Sequence, residues 1–334
     1  MSRLPDFPRD VLKVIALTVN LPRGEMKTLF IDCNEQLASA WKRVLRPGDP
    51  PIEVNRAPFT AAELPQLLSG YDICIDDHSY LPTGRVEQCK ALKHVVFLGT
   101  GASSYMDVGE LKSHGVTVHT IKGYGDTAVA EHTIALMLAS SRDIAHMDRL
   151  IRAGTWSTRE GVQLSGKTLG VIGLGGIGRE VMRLGRGLGM EVIAWNRTKH
   201  PEDPWVELNE LLSRAHVITL HLALNDETRG FFGASQLART KPGVILVNTA
   251  RAALVDETTL LSGLRSGRIG HAGLDVFHTE PLRKDHPLTS LANVTLTAHA
   301  AFRTFEASQV LLRRAIDIVR DIADPPGSPR RGER

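Results

Sequence analysis

Short apolar runs alternate with stretches of helical periodicity along the first third of the chain, starting near Met26. The runs at 28–32, 73–76, 95–98 and 116–119 have the length of buried β-strands. Between them, apolar residues recur at helical spacing in A-A-E-L-P-Q-L-L and G-R-V-E-Q-C-K-A-L. This alternation predicts βαβ units, and therefore a parallel sheet with helices on its faces.

A second series follows one long helical segment, D-T-A-V-A-E-H-T-I-A-L-M-L-A-S-S-R-D-I, for which Asp126 or Thr127 is the predicted N-cap. Helical patterns then alternate with apolar runs again, in V-M-R-L-G-R-G-L, V-E-L-N-E-L-L and T-T-L-L-S-G-L. A last helix near 305–322 has no strand of its own, and we predict that it packs on the first domain. The runs of this second series predict a complete doubly wound unit with strands at 169–172, 191–195, 217–221, 244–248, 271–276 and 294–297.

Composition and charge narrow the class of protein. A length of 334 residues allows about two domains, and a net charge of +3 is too small to favour nucleic acid as a partner. The cysteines Cys33, Cys74 and Cys89 match no metal-ligand spacing and suit a reducing cytoplasm. The longest apolar run, near 135–139, is far too short to span a membrane. We therefore predict a cytoplasmic protein without a metal or a membrane contact.

The two ends of the chain are predicted to lie outside the folded domains. Residues 1–25 contain several prolines and lack the lysine-rich start of a signal peptide, so we predict an N-terminal extension. The basic sequence D-P-P-G-S-P-R-R-G-E-R predicts a disordered tail at 324–334 rather than a binding arm.

A glycine-rich turn lies between a predicted strand and a predicted helix, in L-G-V-I-G-L-G-G-I-G-R-E-V. Gly173 permits the tight turn, Gly175 lets the backbone approach a pyrophosphate, and Gly178 lets the helix pack closely on the sheet. The N–H groups at the start of the helix then face the phosphates. The alternative is a glycine-rich turn without a ligand, but the strand–turn–helix context favours a dinucleotide.

Three residues that can carry chemistry follow predicted strands. Arg251 lies in V-N-T-A-R-A-A-L-V-D, Glu280 in G-L-D-V-F-H-T-E-P-L and His299 in V-T-L-T-A-H-A-A-F. Ligands bind at the carboxyl ends of the strands in open α/β sheets. An arginine can bind a carboxylate and polarise a keto oxygen, a histidine can donate a proton, and a glutamate can favour the protonated imidazole. Singly, each residue is better explained by a surface charge or a turn than by catalysis. His132, inside the long helix, is a weaker candidate still.

Five motifs together resemble the D-isomer-specific 2-hydroxyacid dehydrogenase family. They are G-L-G-G-I-G, T-L-H-L-A-L-N-D-E-T-R-G, N-T-A-R-A-A-L-V-D-E, G-L-D-V-F-H-T-E-P-L and T-A-H, in the family's order and at family-like spacing. The resemblance implies an α/β protein with two doubly wound parallel-sheet domains: a Rossmann cofactor domain at 101–300, and a smaller flavodoxin-like substrate domain split between 26–100 and 301–323. It also implies a homodimer, with the helix that starts near Thr127 in the interface.

The resemblance also implies roles for single residues. His299 would be the acid/base, Glu280 its partner and Arg251 the substrate binder. Asp275 and the backbone at Thr249 and Ala250 would flank the nicotinamide. Further contacts with the cofactor are implied within the same motifs, at Gly176, Ile177, His221, Leu222, Thr228, Arg251, His299 and Ala301.

The chain departs from the family pattern at several places, among them Ala223, where a proline is common. L-G-T-G-A-S-S-Y-M-D lacks the Asn that often follows a G-x-D stretch, although Thr100 and Gly101 stay candidate backbone donors to the substrate carboxylate. After His299 the chain has Ala300-Ala301-Phe302 where glycines are common, so Phe302 is predicted to narrow the pocket. The stretch at 198–208 is shorter than usual, which opens or remodels the adenosine side.

The sequence W-N-R-T follows the second strand of the doubly wound unit, where an acidic residue usually binds the ribose of NAD. Asn196 removes the charge that would repel a 2′-phosphate, and Arg197 offers a planar fork of donors that suits one. Thr198 and Lys199 can add donors. The sequence therefore favours NADP(H); the alternative is an NAD enzyme with Arg197 pointing to solvent.

We predict an NADP(H)-preferring oxidoreductase that acts on a small 2-keto or 2-hydroxy acid of D configuration, such as glyoxylate or hydroxypyruvate. Two alternatives stay open at this point. One is an NAD-linked dehydrogenase of a bulkier or phosphorylated acid, and the other is a non-catalytic protein that senses dinucleotides.

Overall fold

The computed structural model describes residues 26–324. The predicted extension at 1–25 and nearly all of the predicted tail lie outside these residues. Contacts divide the chain into two compact units: the first ends at Tyr124 and resumes at Ser308, and the second is Gly125–Ala307.

The first unit contains a five-stranded parallel sheet. The strand order is β2-β1-β3-β4-β5, the order of flavodoxin-like folds, as predicted. In such an order the direction of winding reverses between the first and third strands. The strands are β1 (Thr28–Phe30), β2 (Ile52–Val54), β3 (Ile73–Asp76), β4 (His94–Phe97) and β5 (Thr117–Thr120).

Helices cover both faces of this sheet, and the last helix of the chain is one of them. Leu312 and Ile316 of this helix pack in one apolar cluster with Phe30 and Trp41, which confirms the prediction for the last helix. These helices are α1 (Glu35–Val44), α2 (Leu64–Leu67), α3 (Thr83–Val86), α4 (Val108–Ser113) and α11 (Phe305–Ala323).

The second unit contains a six-stranded parallel sheet in the order β11-β10-β9-β8-β6-β7. The order reverses between β6 and β8, and such a switch point is where doubly wound folds bind ligands, outside the carboxyl ends of the strands. The strands are β6 (Thr168–Ile172), β7 (Glu191–Trp195), β8 (Val217–Leu220), β9 (Val244–Asn248), β10 (Ile269–Leu274) and β11 (Val294–Leu296). Their helices are α5 (Asp126–Ser141), α6 (Ile144–Arg152), α7 (Gly176–Gly187), α8 (Leu208–Arg214), α9 (Ala234–Arg239) and α10 (Glu257–Ser266).

The predicted long helix is wrong in two details. Its N-cap is Gly125, and neither Asp126 nor Thr127 caps it, because both already have helical positions. The helix also ends at Ser141, because Asp143 adopts the left-handed conformation with a φ of 52° and α6 begins after it.

Two further predictions differ from the structure. Strand β2 was not predicted, because it has only three residues, none of them fully buried. The helical pattern at 84–92 gives only the short α3, after which the chain continues in turns.

The described residues offer neither a membrane span nor a metal cluster. No helix between 26 and 324 is long and apolar enough to cross a membrane. In the same range, no three His, Cys, Asp or Glu side chains are grouped so that they could hold a metal ion.

Candidate active site

The glycine-rich turn after β6 is tight on one side and open on the other. Gly173 has a φ of 101°, and a Cβ there would lie 2.7 Å from the carbonyl of His221. A Cβ on Gly178 would lie 2.0 Å from the carbonyl oxygen of Gly173. By contrast, a Cβ on Gly175 would meet no atom within 4 Å. The turn therefore leaves free space in front of the first N–H groups of α7, where a phosphate can bind.

Gly176 faces a side chain and not the backbone. A Cβ on this residue would lie 1.7 Å from Oδ2 of Asp126, the first residue of α5. Ile177 follows it in the first turn of α7. The Asp126 carboxylate thus occupies the space that a side chain at position 176 would need.

His221 follows β8 and lies against the glycine turn. Its Nε2 atom is buried and has no hydrogen-bond partner among residues 26–324. Burial lowers the pKa of His221 to about 3, so the ring is neutral near pH 7. A buried ring nitrogen without a partner, on a residue whose carbonyl packs against Gly173, fits the binding of a dinucleotide at this edge of the sheet. Leu222 comes next, and the Thr228 hydroxyl donates to the Ala223 carbonyl oxygen in the same loop.

The W-N-R-T loop after β7 is fixed by Asn196. Its side-chain oxygen accepts from Leu174 N in the glycine turn at 3.3 Å, and its Nδ2 donates to the Thr198 carbonyl oxygen at 3.0 Å. The Trp205 indole N–H donates to the Asn196 carbonyl oxygen. Asn196 thus links this loop to the glycine turn with neutral groups alone.

The two cations of this loop lie near carboxylates. The Arg197 guanidinium donates to Glu227 at 3.0 Å, and the two side chains are 79% and 73% exposed. Lys199 Nζ lies 3.5 Å from the centre of the Trp205 ring and 3.3 Å from Glu207. Arg197 therefore points away from the protein interior, toward solvent and a neighbouring acid.

The stretch at 198–208 returns to the sheet at one point. Trp205 forms a single parallel bridge with Ala194. The Asp203 carboxylate accepts hydrogen bonds from both Nη atoms of Arg179, in the first turn of α7, at 2.6 and 3.1 Å. The Asp203 side chain is only 2% exposed. Neither member of this pair was predicted from the sequence.

Arg251 is positioned by the turn after β9. The buried Asn248 accepts from Ala250 N at 3.0 Å and donates to the Arg251 carbonyl oxygen at 2.9 Å. The Thr249 hydroxyl lies 2.8 Å from that of Thr133 on α5. These bonds fix the turn. Within the described part of the chain, the guanidinium itself donates only to the neighbouring Ala250 carbonyl oxygen.

Glu280 and His299 are in direct contact. Oε2 of Glu280 lies 2.7 Å from Nδ1 of His299, and Oε1 accepts from Phe277 N at 2.9 Å. Burial raises the pKa of Glu280, but the hydrogen bonds from His299 and Phe277 and the charge of Arg251 outweigh it. The net effect is a pKa below the usual value, so the carboxylate is ionised beside the imidazole.

The loop that carries His299 is held by the fully buried Asp275. His299 has a φ of 48°, and its N–H donates to the Asp275 carbonyl oxygen at 2.8 Å. The two carboxylate oxygens of Asp275 accept from Ala300 N and Ala301 N, each at 2.9 Å. The Phe302 ring stands perpendicular to the His299 ring, 6.3 Å from it.

Arg251, Glu280 and His299 follow the neighbouring strands β9, β10 and β11, so the fold gathers them at one edge of the sheet. Thr100 and Gly101 belong to the first unit, where they follow β4. Within residues 26–324, the backbone N–H groups of these two residues donate no hydrogen bond, so both are available to a ligand.

Comparisons with known proteins agree with this geometry. Residues 134–301 match the family model described as D-isomer specific 2-hydroxyacid dehydrogenase, NAD binding domain. A glycerate dehydrogenase of Methylorubrum extorquens is 34% identical over 78% of this chain and 85% of its own length. A hydroxypyruvate reductase of Blautia hydrogenotrophica is 33% identical over 77% of this chain and 83% of its own. The crystal structure of a glyoxylate reductase from Paecilomyes thermophila has a TM-score of 0.78 and 27% identity, and covers 91% of this chain and 97% of that one.

Proposed function

Since the chain belongs to the D-isomer-specific 2-hydroxyacid dehydrogenase family, we propose that it reduces a small 2-keto acid to the D-2-hydroxy acid and prefers NADP(H). Membership makes it an NAD(P)-dependent oxidoreductase. The observation that carries the proposal is the 2.7 Å contact between His299 and Glu280, at the same edge of the sheet as Arg251 and the glycine turn.

His299 acts as the proton donor in this proposal. Its Nδ1 faces the Glu280 carboxylate, which can only accept, so Nδ1 carries a proton and Nε2 holds the one that is transferred. The cofactor, when bound, supplies the hydride. Arg251 binds the substrate carboxylate and polarises the keto oxygen, which then takes the proton from Nε2 as it becomes a hydroxyl.

Glyoxylate and hydroxypyruvate are the substrates we propose. The relatives named above are a glycerate dehydrogenase, a hydroxypyruvate reductase and a glyoxylate reductase. Oxidation of the C2 hydroxyl of glycerate gives hydroxypyruvate, so all three names describe acids of two or three carbons. The Phe302 ring lies 6.3 Å from the His299 ring, and we propose that it limits the size of the substrate.

The preference for NADP(H) rests on the loop after β7. Asn196 is neutral, so it would not repel a 2′-phosphate on the ribose. Arg197 is exposed, and its guanidinium can donate two parallel hydrogen bonds to that phosphate. An NAD-linked enzyme is the second candidate, since Glu227 already pairs with Arg197 and competes with a phosphate.

We also propose that the protein is a cytoplasmic homodimer. Between residues 144 and 162 of the second unit, four large apolar side chains are exposed, from 45% for Val162 to 86% for Trp156; the other two are Ile144 and Ile151. A second copy of the chain would cover them, in keeping with the interface expected at the helix that starts near Thr127. The three cysteines are free and buried, which suits a reducing compartment.

The test is a turnover assay on the full chain. NADPH and NADH are each offered with a panel of 2-keto acids, and nicotinamide absorbance is followed. The proposal expects turnover with glyoxylate or hydroxypyruvate, and a higher kcat/KM with NADPH. Turnover only of larger or phosphorylated acids with NADH would favour the NAD-linked alternative. Tight cofactor binding without turnover of any acid would favour a dinucleotide sensor.

A further inference from the structure

Beneath the His299 loop lies a chain of polar side chains that the proposed reaction does not use. Asp275 follows β10, Thr297 follows β11, and His132 lies in the middle of α5. Nε2 of His132 is 2.9 Å from the Thr297 hydroxyl oxygen, which is 2.6 Å from Oδ1 of Asp275. His132 and Asp275 themselves are 3.6 Å apart, so the hydroxyl group joins them.

The direction of both hydrogen bonds follows from the groups involved. Two backbone N–H groups already donate to the Asp275 carboxylate, whose oxygens act as acceptors. Thr297 has one hydroxyl proton and must give it to Asp275, so the Thr297 oxygen is free to accept. His132 therefore donates from Nε2. Both the neutral Nε2–H tautomer and the imidazolium carry this proton, so the chain of bonds holds in either charge state.

We propose that His132 is a positioning residue for the His299 loop, and that it acts through Thr297 and Asp275. The inference rests on the proposed role of His299 in proton transfer. Asp275 fixes the amides that follow His299 and, through its own carbonyl, the amide of His299 itself. His132 lies on a helix of 16 residues, so its position is fixed. Its hydrogen bond orients the Thr297 hydroxyl, which in turn orients the Asp275 carboxylate.

Rescue by a conservative variant separates this role from simple packing. His132→Leu keeps the bulk and removes the donor, whereas His132→Gln returns an N–H group at a similar distance from the backbone. We expect His132→Leu to lower kcat about tenfold, because small displacements of a reacting group are costly. The KM for NADPH should change by less than about twofold, and His132→Gln should recover most of kcat. His114→Leu, on an exposed histidine of the first unit, is the matched control.

A double-mutant cycle tests the path. Thr297→Val removes one hydroxyl at nearly constant volume, and it serves even if His132→Leu does not fold. Because both residues act through the same bonds, the double variant His132→Leu/Thr297→Val should lose no more activity than the worse single variant. Losses that multiply would overturn the proposed path.

Hydrogen exchange supplies a readout that needs no substrate. In His132→Leu and in Thr297→Val, the amides of Ala300 and Ala301 should exchange faster than in the unmodified protein, while those of β6 stay unchanged. Exchange rates and kcat equal to those of the unmodified protein would overturn the proposal. If the unmodified protein turns over no 2-keto acid, the proposed function fails, yet the exchange experiment still decides the role of His132.

Discussion

Two loops at the same edge of the second sheet place their charged side chains in opposite surroundings. The loop after β11, which carries His299, is fixed by Asp275, a fully buried carboxylate that receives three donors at 2.6 to 2.9 Å. The loop after β7 presents Arg197 to solvent, with Glu227 as an equally exposed partner.

The difference indicates which properties of the protein are fixed and which are adjustable. Removing one partner of a buried hydrogen bond costs about 1–3 kcal/mol, because the other partner is left without water. An exposed ion pair contributes about 0–1 kcal/mol, so a ligand phosphate can displace it. The proton-transfer geometry is thus held by buried groups, whereas the choice of cofactor depends on exposed groups that single substitutions can change.

Removal of the His299 imidazole should give the largest effect. Loss of a general acid lowers the rate by about 10²–10⁴-fold. His299→Ala should therefore lose turnover of 2-keto acids and keep its affinity for the cofactor, measured by quenching of protein fluorescence. Turnover near that of the unmodified protein would remove His299 from the reaction.

Loosening the buried loop should come next. Asp275→Asn replaces an acceptor with an N–H₂ group that must face a backbone N–H or the Thr297 hydroxyl proton. We expect about 1–3 kcal/mol of lost stability, together with a fall in kcat of up to about 10²-fold. Asp285→Asn, at an exposed carboxylate, is the control for both measurements. Equal melting temperatures for the two variants would show that the Asp275 contacts do not hold the loop.

Substitution of Arg251 tests how the substrate is bound. Arg251→Lys keeps the charge and loses the planar pair of donors. The loss of one charge-assisted bond, about 1.5–3 kcal/mol, corresponds to roughly ten- to hundredfold in kcat/KM for the keto acid. Most of this loss should appear in KM. An Arg251→Ala variant with unchanged kcat/KM would show that another group binds the carboxylate.

Substitutions in the exposed loop after β7 should have the smallest effect on rate, but they should reverse the preference between NADPH and NADH. Asn196→Asp combined with Arg197→Ala restores the repulsive charge and removes the attractive one. We expect the roughly tenfold preference for NADPH to become a preference for NADH, mostly through KM, as one charge-assisted bond in a wet site predicts. Glu227→Gln should raise the preference for NADPH. In the unmodified protein, a kcat/KM for NADPH that does not exceed the kcat/KM for NADH would show that Arg197 pairs with Glu227 and does not bind the cofactor.

The sequence predicts the fold well where burial is complete. Strands β3, β7 and β9 lie where the apolar runs place them, because β3 and β9 are buried throughout and β7 is buried at its three central residues. The prediction fails at short or half-exposed elements such as β2. It also fails at Asp143, because the helical periodicity continues across a residue whose left-handed backbone leaves no mark in the pattern.

The sequence predicts those site residues that follow a predicted strand. The positions of Glu280 and His299 after neighbouring strands predicted their contact, and the structure places them 2.7 Å apart, while their roles stay predictions. The pairs Arg179–Asp203 and His132–Thr297 join residues 24 and 165 positions apart, and neither has a sequence signal of its own. His132 was a weak candidate for a functional residue because it lies inside a predicted helix. A helical pattern does not show which strand end the polar face of the helix contacts.

The left-handed backbone of His299 lowers the stability of the loop, while the imidazole at this position is needed for the proposed activity. An L-residue in that conformation costs roughly 1–2 kcal/mol, which a glycine avoids. A chain released from the need to transfer a proton would gain thermal resistance by drifting toward glycine at position 299, while its Asp275 contacts to the next two amides stay in place. Relatives that retain the fold and have a glycine in place of this histidine are therefore expected to melt at higher temperatures than their active counterparts.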